Sequence, residues 1–359
     1  MTQPLVWPSE STLQPSSERV ASEGDFVRRL REEFDEPCLS QTLDAAEERV
    51  DKRHWQAVLC GPLLELLGRD GKGFRSRLVE VAYALGAGDA APEMPRQLPL
   101  IVEALHAGSL IIDDIEDDSK YRRGKPALHC LVGVPLALNA GNWLYFMPHR
   151  LLEELELEPR VELALRRAVD RAVLRCHYGQ ALDLGVRLGS LAQAEVFELV
   201  NLSTRLKTGS LLELAAEVGA IAGGADAELC AELSRFARKY GVALQMLDDT
   251  SGIYQAARAH KGHEDLLQGR PTWPWAWLSR RLDELGYSRL QHHAQAVMRG
   301  EMHPEVLASA LRRHLGDAPN RAVHRQLQDA FARLEARVKS RALLAPLVDE
   351  IERLEAAYV

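Results

Sequence analysis

The sequence predicts an all-α fold, a bundle of about ten or more helices joined by short connections. Long stretches free of Pro and rich in Ala, Leu, Glu and Arg carry apolar residues at helical spacing. Strand signals are nearly absent: no alternating Val/Ile/Thr run is flanked by Asn-Gly or Asp-Gly turns. Gly and Pro gather in short clusters between the periodic stretches, where chain reversals belong.

In chain order, residues 1 to about 24 are rich in Ser, Pro, Gln and Glu and read as a flexible leader. Helical spacing is clear in VEALHAGSLIIDDIEDD (102–118), RVELALRRAVDRAVLRCHYGQALDL (160–184) and AELCAELSRFARKYGVALQML (227–247). Breaks fall at 68–73, 86–95, 124–126, 133–135, 223–225 and 262–274, and near Gly286 and Gly316. None is strong enough to divide the chain, so residues 25–359 are expected to form one domain. Segment 285–359 is polar, helical and poor in chemistry, a structural tail of the bundle.

Hydrophobic residues make up 46% and charged residues 27% of the 359 positions, an ordinary globular balance. The formal net charge of -8 argues against binding nucleic acid or an anionic membrane, while leaving room for a local basic pocket. Cys38, Cys60, Cys130, Cys176 and Cys230 are widely spaced with no CxxC pair, so five reduced thiols are expected. The N-terminal stretch lacks the basic and apolar regions of a signal peptide. No apolar run approaches the ~18 residues needed to span a bilayer. A cytoplasmic protein without stable membrane insertion is expected.

The most informative stretch runs from Glu103 through His106 to Asp113, Asp114, Glu116, Asp117 and Asp118. Asp113 and Asp117 are spaced i, i+4 and project from one helical face. Carboxylates crowded onto one turn repel each other unless a cation shares them, and the C-terminal end of a helix disfavours them further. Carboxylates combined with substrate phosphates are the usual way of holding Mg²⁺. His106 lies two turns earlier on the same stripe, about 10 Å along the axis, and the run between is apolar. A helix greasy along its length and acidic at one end suits a ligand with an apolar tail and a phosphate head. A solvated acidic helix end fits the same residues.

Basic groups follow the pattern. Lys120, Arg122, Arg123 and Lys125 come directly after the cluster, and Lys72, Arg75 and Arg77 lie upstream. Arg forks and Lys ammonium groups are natural partners of phosphate oxygens, although either segment alone reads as an ordinary basic loop. The glycines of 68–73 do not spell a phosphate-binding loop of the Gly-Lys-Ser/Thr type. In the second half, Gln245, Asp248 and Asp249 end an apolar helix at i, i+3, i+4 spacing. Lys207 and Thr208 sit mid-helix, and a loop carries Lys261, Asp265, Arg270, Thr272 and Pro274. A snorkelling surface lysine at 207 and a helix N-cap at Asp265 are the plainer readings.

Together these segments resemble the trans-isoprenyl diphosphate synthases, most closely the eukaryotic-type geranylgeranyl diphosphate synthases. The likeness runs from about Gly71 to Pro274 through GKGFRSRL, ExxH before DDIED, SKYRRGKP, GNWLYF, HYGQALD, KTGSLLELA, QMLDD and the Lys261–Pro274 segment, all in the expected order. The resemblance implies one isoprenoid synthase helical bundle around a central cavity, usually a homodimer, that joins isopentenyl diphosphate to an allylic diphosphate with about three Mg²⁺ ions. It implies that Asp113, Asp114 and Asp117 bind metal on one side and Asp248 with Asp249 on the other. Arg122, Lys207 and Lys261 would grip the allylic diphosphate. Lys72, Arg75, His106 and Arg123 would hold isopentenyl diphosphate. Thr208 and Gln245 would line the cationic centre, with His177, Gln180 and Asp183 bordering the cavity.

The tail of the growing product is expected to run back along the Asp113 helix. Ser109 and Gly108, four and five residues before Asp113, are small and would not stop it. Tyr145, Phe146 and His177 would form a floor a few turns deep, leaving room for a C20 product, geranylgeranyl diphosphate; as plain core residues they would set nothing. Three departures stand out. Gly252 occupies the place of the third carboxylate of the second aspartate motif, a position that is also non-acidic in the eukaryotic-type subgroup, which implies weakened metal binding and not loss of activity; Asn142 stands where many bacterial members have Asp, again as in the eukaryotic type, and Arg270 replaces the usual Lys, which keeps the charge. Gly252 lies one turn beyond Asp248, so an Asp there is expected to share the same ion and tighten Mg²⁺ dependence. Two other readings share the pattern: a synthase-derived terpene cyclase or transferase to another acceptor, and a non-catalytic regulatory subunit. The complete first aspartate cluster and the Lys72, Arg75, His106 set argue against both.

Overall fold

The computed structural model describes residues 23–35, 37–39, 52–69, 73–88, 92–338 and 341–356. The apolar periodicity becomes α1 (Glu23–Glu33), α2 (Lys52–Trp55), α3 (Gly61–Leu67), α4 (Phe74–Ala87) and α5 (Gln97–Glu116). A short hairpin of β1 (Tyr121–Arg122) and β2 (Lys125–Pro126) follows, with Tyr121 opposite Pro126 and Arg122 opposite Lys125. Next come α6 (Leu128–Val132), α7 (Val134–Glu153), α8 (Pro159–Gly185), α9 (Gln193–Thr204), α10 (Ser210–Ala222) and α11 (Ala227–Tyr254). The chain closes with α12 (Ala259–Gln268), α13 (Trp273–Arg281), α14 (Glu284–Met298), α15 (Pro304–Leu315), α16 (Ala318–Arg337) and α17 (Ala345–Ala356). The all-α class is as the periodicity predicts. Of the leader, residues 1–22 lie outside the described residues.

Local chemistry sets the ends of these helices. The Asp226 carboxylate accepts from Leu229 N–H at 2.7 Å and starts α11; Asp283 accepts from Gly286 N–H at 2.8 Å and starts α14. Gly269, at φ +63°, ends α12 in a left-handed turn open to glycine. Two helices differ from expectation. Segment 259–268, read from Gly262 as a loop, is helical, because Glu264–Gln268 is a run of good helix formers and Gly262 is needed for a backbone contact described below. Helix α11 does not end at the Asp248–Asp249 pair but continues to Tyr254.

The core is organised around α10, whose sequence SLLELAAEVGAIA is apolar but for Ser210, Glu213 and Glu217 and is buried on nearly every side. It packs against α4, α8 and α11, while α7 lies along α5 and α16 along α11. Each fully buried leucine, such as Leu212 or Leu214, contributes roughly 2 kcal/mol by leaving water. The one carboxylate in this helix's core face, Glu213, is 5% exposed and is met by Arg238 at 2.7 and 2.9 Å and by Arg175 at 3.1 Å. That pairing offsets the cost of burying its charge. No helix among the described residues is long and apolar enough to cross a membrane.

Candidate active site

Arg69, a residue that sequence reasoning passed over, builds one wall of the site. It is 3% exposed, and its Nη1 and Nη2 donate to the carbonyls of Arg122 and Pro126, both at 2.8 Å. Its own carbonyl accepts from Arg123 Nη1 at 2.7 Å, and Glu65 holds its charge. The hairpin carrying Arg122 and Arg123 is thus bolted to the end of α3. Nothing periodic announces such a residue, since its partners are carbonyls more than fifty positions away. Arg69→Met is expected to loosen the hairpin and raise the KM for diphosphate substrates by about tenfold, the loss of roughly one net charged hydrogen bond's positioning. Arg69→Lys should recover only part, because one ammonium cannot reach both carbonyls in a fork. Unchanged KM values in Arg69→Met would remove this role.

Asp114 is 1% exposed and is spent on Arg122, whose Nε donates to its two oxygens at 2.9 and 3.1 Å while Nη2 also bonds Oδ1. Burial pushes the Asp114 carboxyl up, and the Arg122 bonds oppose that rise. Asp113 and Asp117 are instead partly exposed, their side chains at 29% and 14%. Lys207 Nζ lies 2.6 Å from Asp183 Oδ2 and 3.7 Å from Asp113 Oδ1; Arg270 is 3.7 Å from Asp183 and bonds Asp117. Asp113, Lys207, Asp183, Arg270 and Asp117 form an arc of alternating charge. Gln180 closes one side, donating to Asp113 at 3.0 Å and to Glu116 at 2.6 Å. Burial works against the Lys207 charge, but Asp183 and Asp113 outweigh it and hold the ammonium above its ordinary range.

Lys207 and Thr208 occupy a π turn, Arg205–Gly209, between α9 and α10. Such turns recur at functional sites because they re-aim side chains within a continuous helix. Thr208 Oγ1 donates to Gln245 Oε1 at 2.8 Å, Gln245 Nε2 donates to Asp249 Oδ1 at 2.8 Å, and Trp273 N–H donates to Asp249 Oδ2 at 3.0 Å. Burial pushes Asp249 up to about 6. Asp248 is held by Lys261 on one oxygen and lies 3.2 Å from Arg258 Nη1 on the other. Asp265 sits inside α12 and not at an N-cap; burial and the nearby Asp249 push it up to about 8.

His106 lies deeper on α5. Burial first, then the charges of Arg75, Arg123 and Arg122, push its imidazole well below the usual range. Those four side chains therefore share one neighbourhood. Lys72 lies outside the described residues. The residues expected along the product tail divide. Tyr145 and His177 pair, with ring centroids 5.3 Å apart, and Ser109 Oγ turns back onto the His106 carbonyl at 2.8 Å. Phe146 makes no ring contact with them: it is 71% exposed, one helical step round from Tyr145, and His177 is itself exposed. Gly108 faces α7, where a Cβ would meet the Gly141 carbonyl oxygen at 2.9 Å, so its smallness serves helix packing.

Residues 56–306 match the profile of the family described as Polyprenyl synthetase. The geranylgeranyl pyrophosphate synthase paxG of Penicillium paxilli is 29% identical over 273 residues, 75% of this chain and 70% of that protein. Geranylgeranyl pyrophosphate synthase 2 of Zymoseptoria tritici is 32% identical over 227 residues, 61% of this chain and 64% of that protein. A polyprenyl synthetase of Streptomyces coelicolor A3(2) has the same fold, with a TM-score of 0.71 at 22% identity over 93% of this chain and 99% of that one. The fold, the order of the motifs and these matches agree that the chain belongs to the polyprenyl synthetase family of trans-prenyltransferases.

Proposed function

We propose that the chain condenses isopentenyl diphosphate with an allylic diphosphate, head to tail, and that geranylgeranyl diphosphate is its product. The observation that carries this is the arc in which Asp113 and Asp117 stand opposite Lys207 and Arg270 around Asp183. The donors are hard carboxylate oxygens one helical turn apart, a set that fits Mg²⁺ once phosphate oxygens and water complete its shell. Asp113 and Asp117 would hold such ions from α5 and Asp248 from α11, while Asp114 orients Arg122. When bound, the ions, about three in this family's pattern, add positive charge where the diphosphate departs.

Arg122, Lys207 and Lys261 grip the allylic diphosphate and stabilise the charge it gains as its C–O bond breaks and the bonding pair leaves with oxygen. Thr208 and Gln245, fixed to each other and to Asp249, turn oxygen atoms toward the allylic carbon as it becomes cationic. Arg75, His106 and Arg123, with Lys72, hold isopentenyl diphosphate so that its double bond attacks that carbon. The cationic adduct then loses a proton to the released diphosphate, so no protein base is needed.

A homodimer is proposed from the outer face of α7 and α8. Leu138, Phe146, Leu174 and Tyr178 are large and exposed there, and a second copy would cover them. The free cysteines support a reducing, cytoplasmic setting. The test is incubation with isopentenyl diphosphate, each allylic diphosphate and Mg²⁺, with products identified by mass. A C20 product is expected. Tyr145→Ala should lengthen it by at least one isoprene unit, each about one helical turn long. A wild-type product ending at C10 or C15, or a cyclised hydrocarbon, would overturn the assignment.

A further inference from the structure

The second aspartate motif carries two carboxylates where the family pattern has three, and the geometry closes the third place. Gly252 and Gly262 cross backbone to backbone: a Cβ on Gly252 would meet Gly262 Cα and N at 3.0 Å, and one on Gly262 would meet the Gly252 carbonyl oxygen at 2.1 Å. A side chain on Gly262 does not fit between α11 and α12, and one on Gly252 would have to push the α12 backbone aside by a few tenths of an ångström. What comes to the motif instead is a cation. Arg258 follows α11 in a short turn, Ala256–Arg258, and its Nη1 donates to Ser251 Oγ at 2.6 Å and lies 3.2 Å from Asp248 Oδ1. Ser251 Oγ is itself bound to the Asp248 carbonyl at 2.8 Å, so the guanidinium is aimed by the motif's own residues. Lys261, one turn further on, bonds the other Asp248 oxygen. Both oxygens of Asp249 are engaged by Gln245 and Trp273.

We infer that Arg258 is a further diphosphate-binding residue, a permanent cation that shares the diphosphate's charge with the ion at Asp248 and lessens the dependence on it. The missing carboxylate and the added guanidinium shift the local charge in the same direction, each making a metal less needed there. A guanidinium presents a planar fork to phosphate oxygens and, unlike an ion held by carboxylates, does not depend on free Mg²⁺. The inference rests on the reading above, that Asp248 and Lys261 face the diphosphate.

The experiment is calorimetric binding of inorganic diphosphate to the full chain over a range of Mg²⁺ concentrations, including EDTA, for wild type, Arg258→Ala, Arg258→Lys and Lys261→Ala, with thermal unfolding of each as a check on folding. Wild type should bind diphosphate in EDTA. Arg258→Ala should weaken that binding about tenfold, and the slope of log affinity against log[Mg²⁺] should steepen by about one ion, with Arg258→Lys intermediate. If Arg258 merely locks Asp248, the alanine variant will keep its affinity in EDTA and bind Mg²⁺ more tightly, which would overturn the inference. If Lys261→Ala also leaves diphosphate binding unchanged, the reading of the site itself fails. A loss in Lys261→Ala alone defeats only the role of Arg258.

Discussion

Asp113→Ala is expected to lower turnover by at least ~10²-fold while leaving the protein folded, the scale of losing one strong electrostatic stabiliser at a reacting centre. Asp113 is partly exposed and reaches Lys207, Arg122 and Gln180 from the end of α5, so its loss strips the arc of a charge without opening the core. Asp114→Ala should fail by a different route. Arg122, with a side chain 26% exposed, would lose its buried partner and keep only Asp113 at 3.6 Å, a cost of about 1–3 kcal/mol. The two variants therefore separate in thermal unfolding: Asp113→Ala should melt close to wild type and Asp114→Ala several degrees lower. Near-normal Mg²⁺-dependent turnover in Asp113→Ala would sink its proposed metal role, and equal melting of the two would sink the division of labour between neighbouring aspartates.

Gly252→Asp is expected to destabilise the protein and lower activity, the reverse of what counting carboxylates suggests. The Cβ alone would press on Gly262 backbone at 3.0 Å, and the carboxylate would then be driven into a buried helix crossing. Overpacking of this kind costs about 1–3 kcal/mol, and burying an unpaired charge adds to it. The strain falls on α12, which bears Lys261, so the diphosphate grip should weaken along with the fold. Thermal unfolding and a Mg²⁺ titration of turnover check this. A variant as stable as wild type with tighter Mg²⁺ dependence would restore the simpler expectation.

Gly252 also marks where legibility ended. The helical class and the i, i+4 placement of Asp113 and Asp117 are readable because helical period converts spacing directly into shared faces, while the meeting of Lys207 with the first aspartate cluster follows only from the family resemblance. Backbone approach has no such period. Gly262 looked like loop punctuation and is a contact inside a helix; Gly108 looked like room for a ligand and is room for α7. Asp114 and Asp113 are adjacent in sequence and about a quarter-turn apart in space, enough to bury one on Arg122 and leave the other partly exposed. Arg69 was invisible because its partners are main-chain carbonyls, which every residue possesses. Adjacency groups Phe146 with Tyr145, while rotation about α7 leaves it exposed.

The π turn at Arg205–Gly209 limits how this chain can change its length. A regular helix rotates each successive side chain by about 100°, and a π turn admits one residue beyond that count. The extra residue lets α9 and α10 each keep an inward stripe while Lys207 reaches Asp183 and Thr208 reaches Gln245. Deleting one residue there would heal the hydrogen-bond ladder and improve the local helix. It would also turn everything downstream by one step of phase, so either the Lys207–Thr208 pair or α10, the most enclosed helix of the bundle, would point the wrong way. Insertions and deletions in this segment are thus coupled to the whole second half of the molecule, and drift in length should be confined to the turns that α9 and α10 do not share.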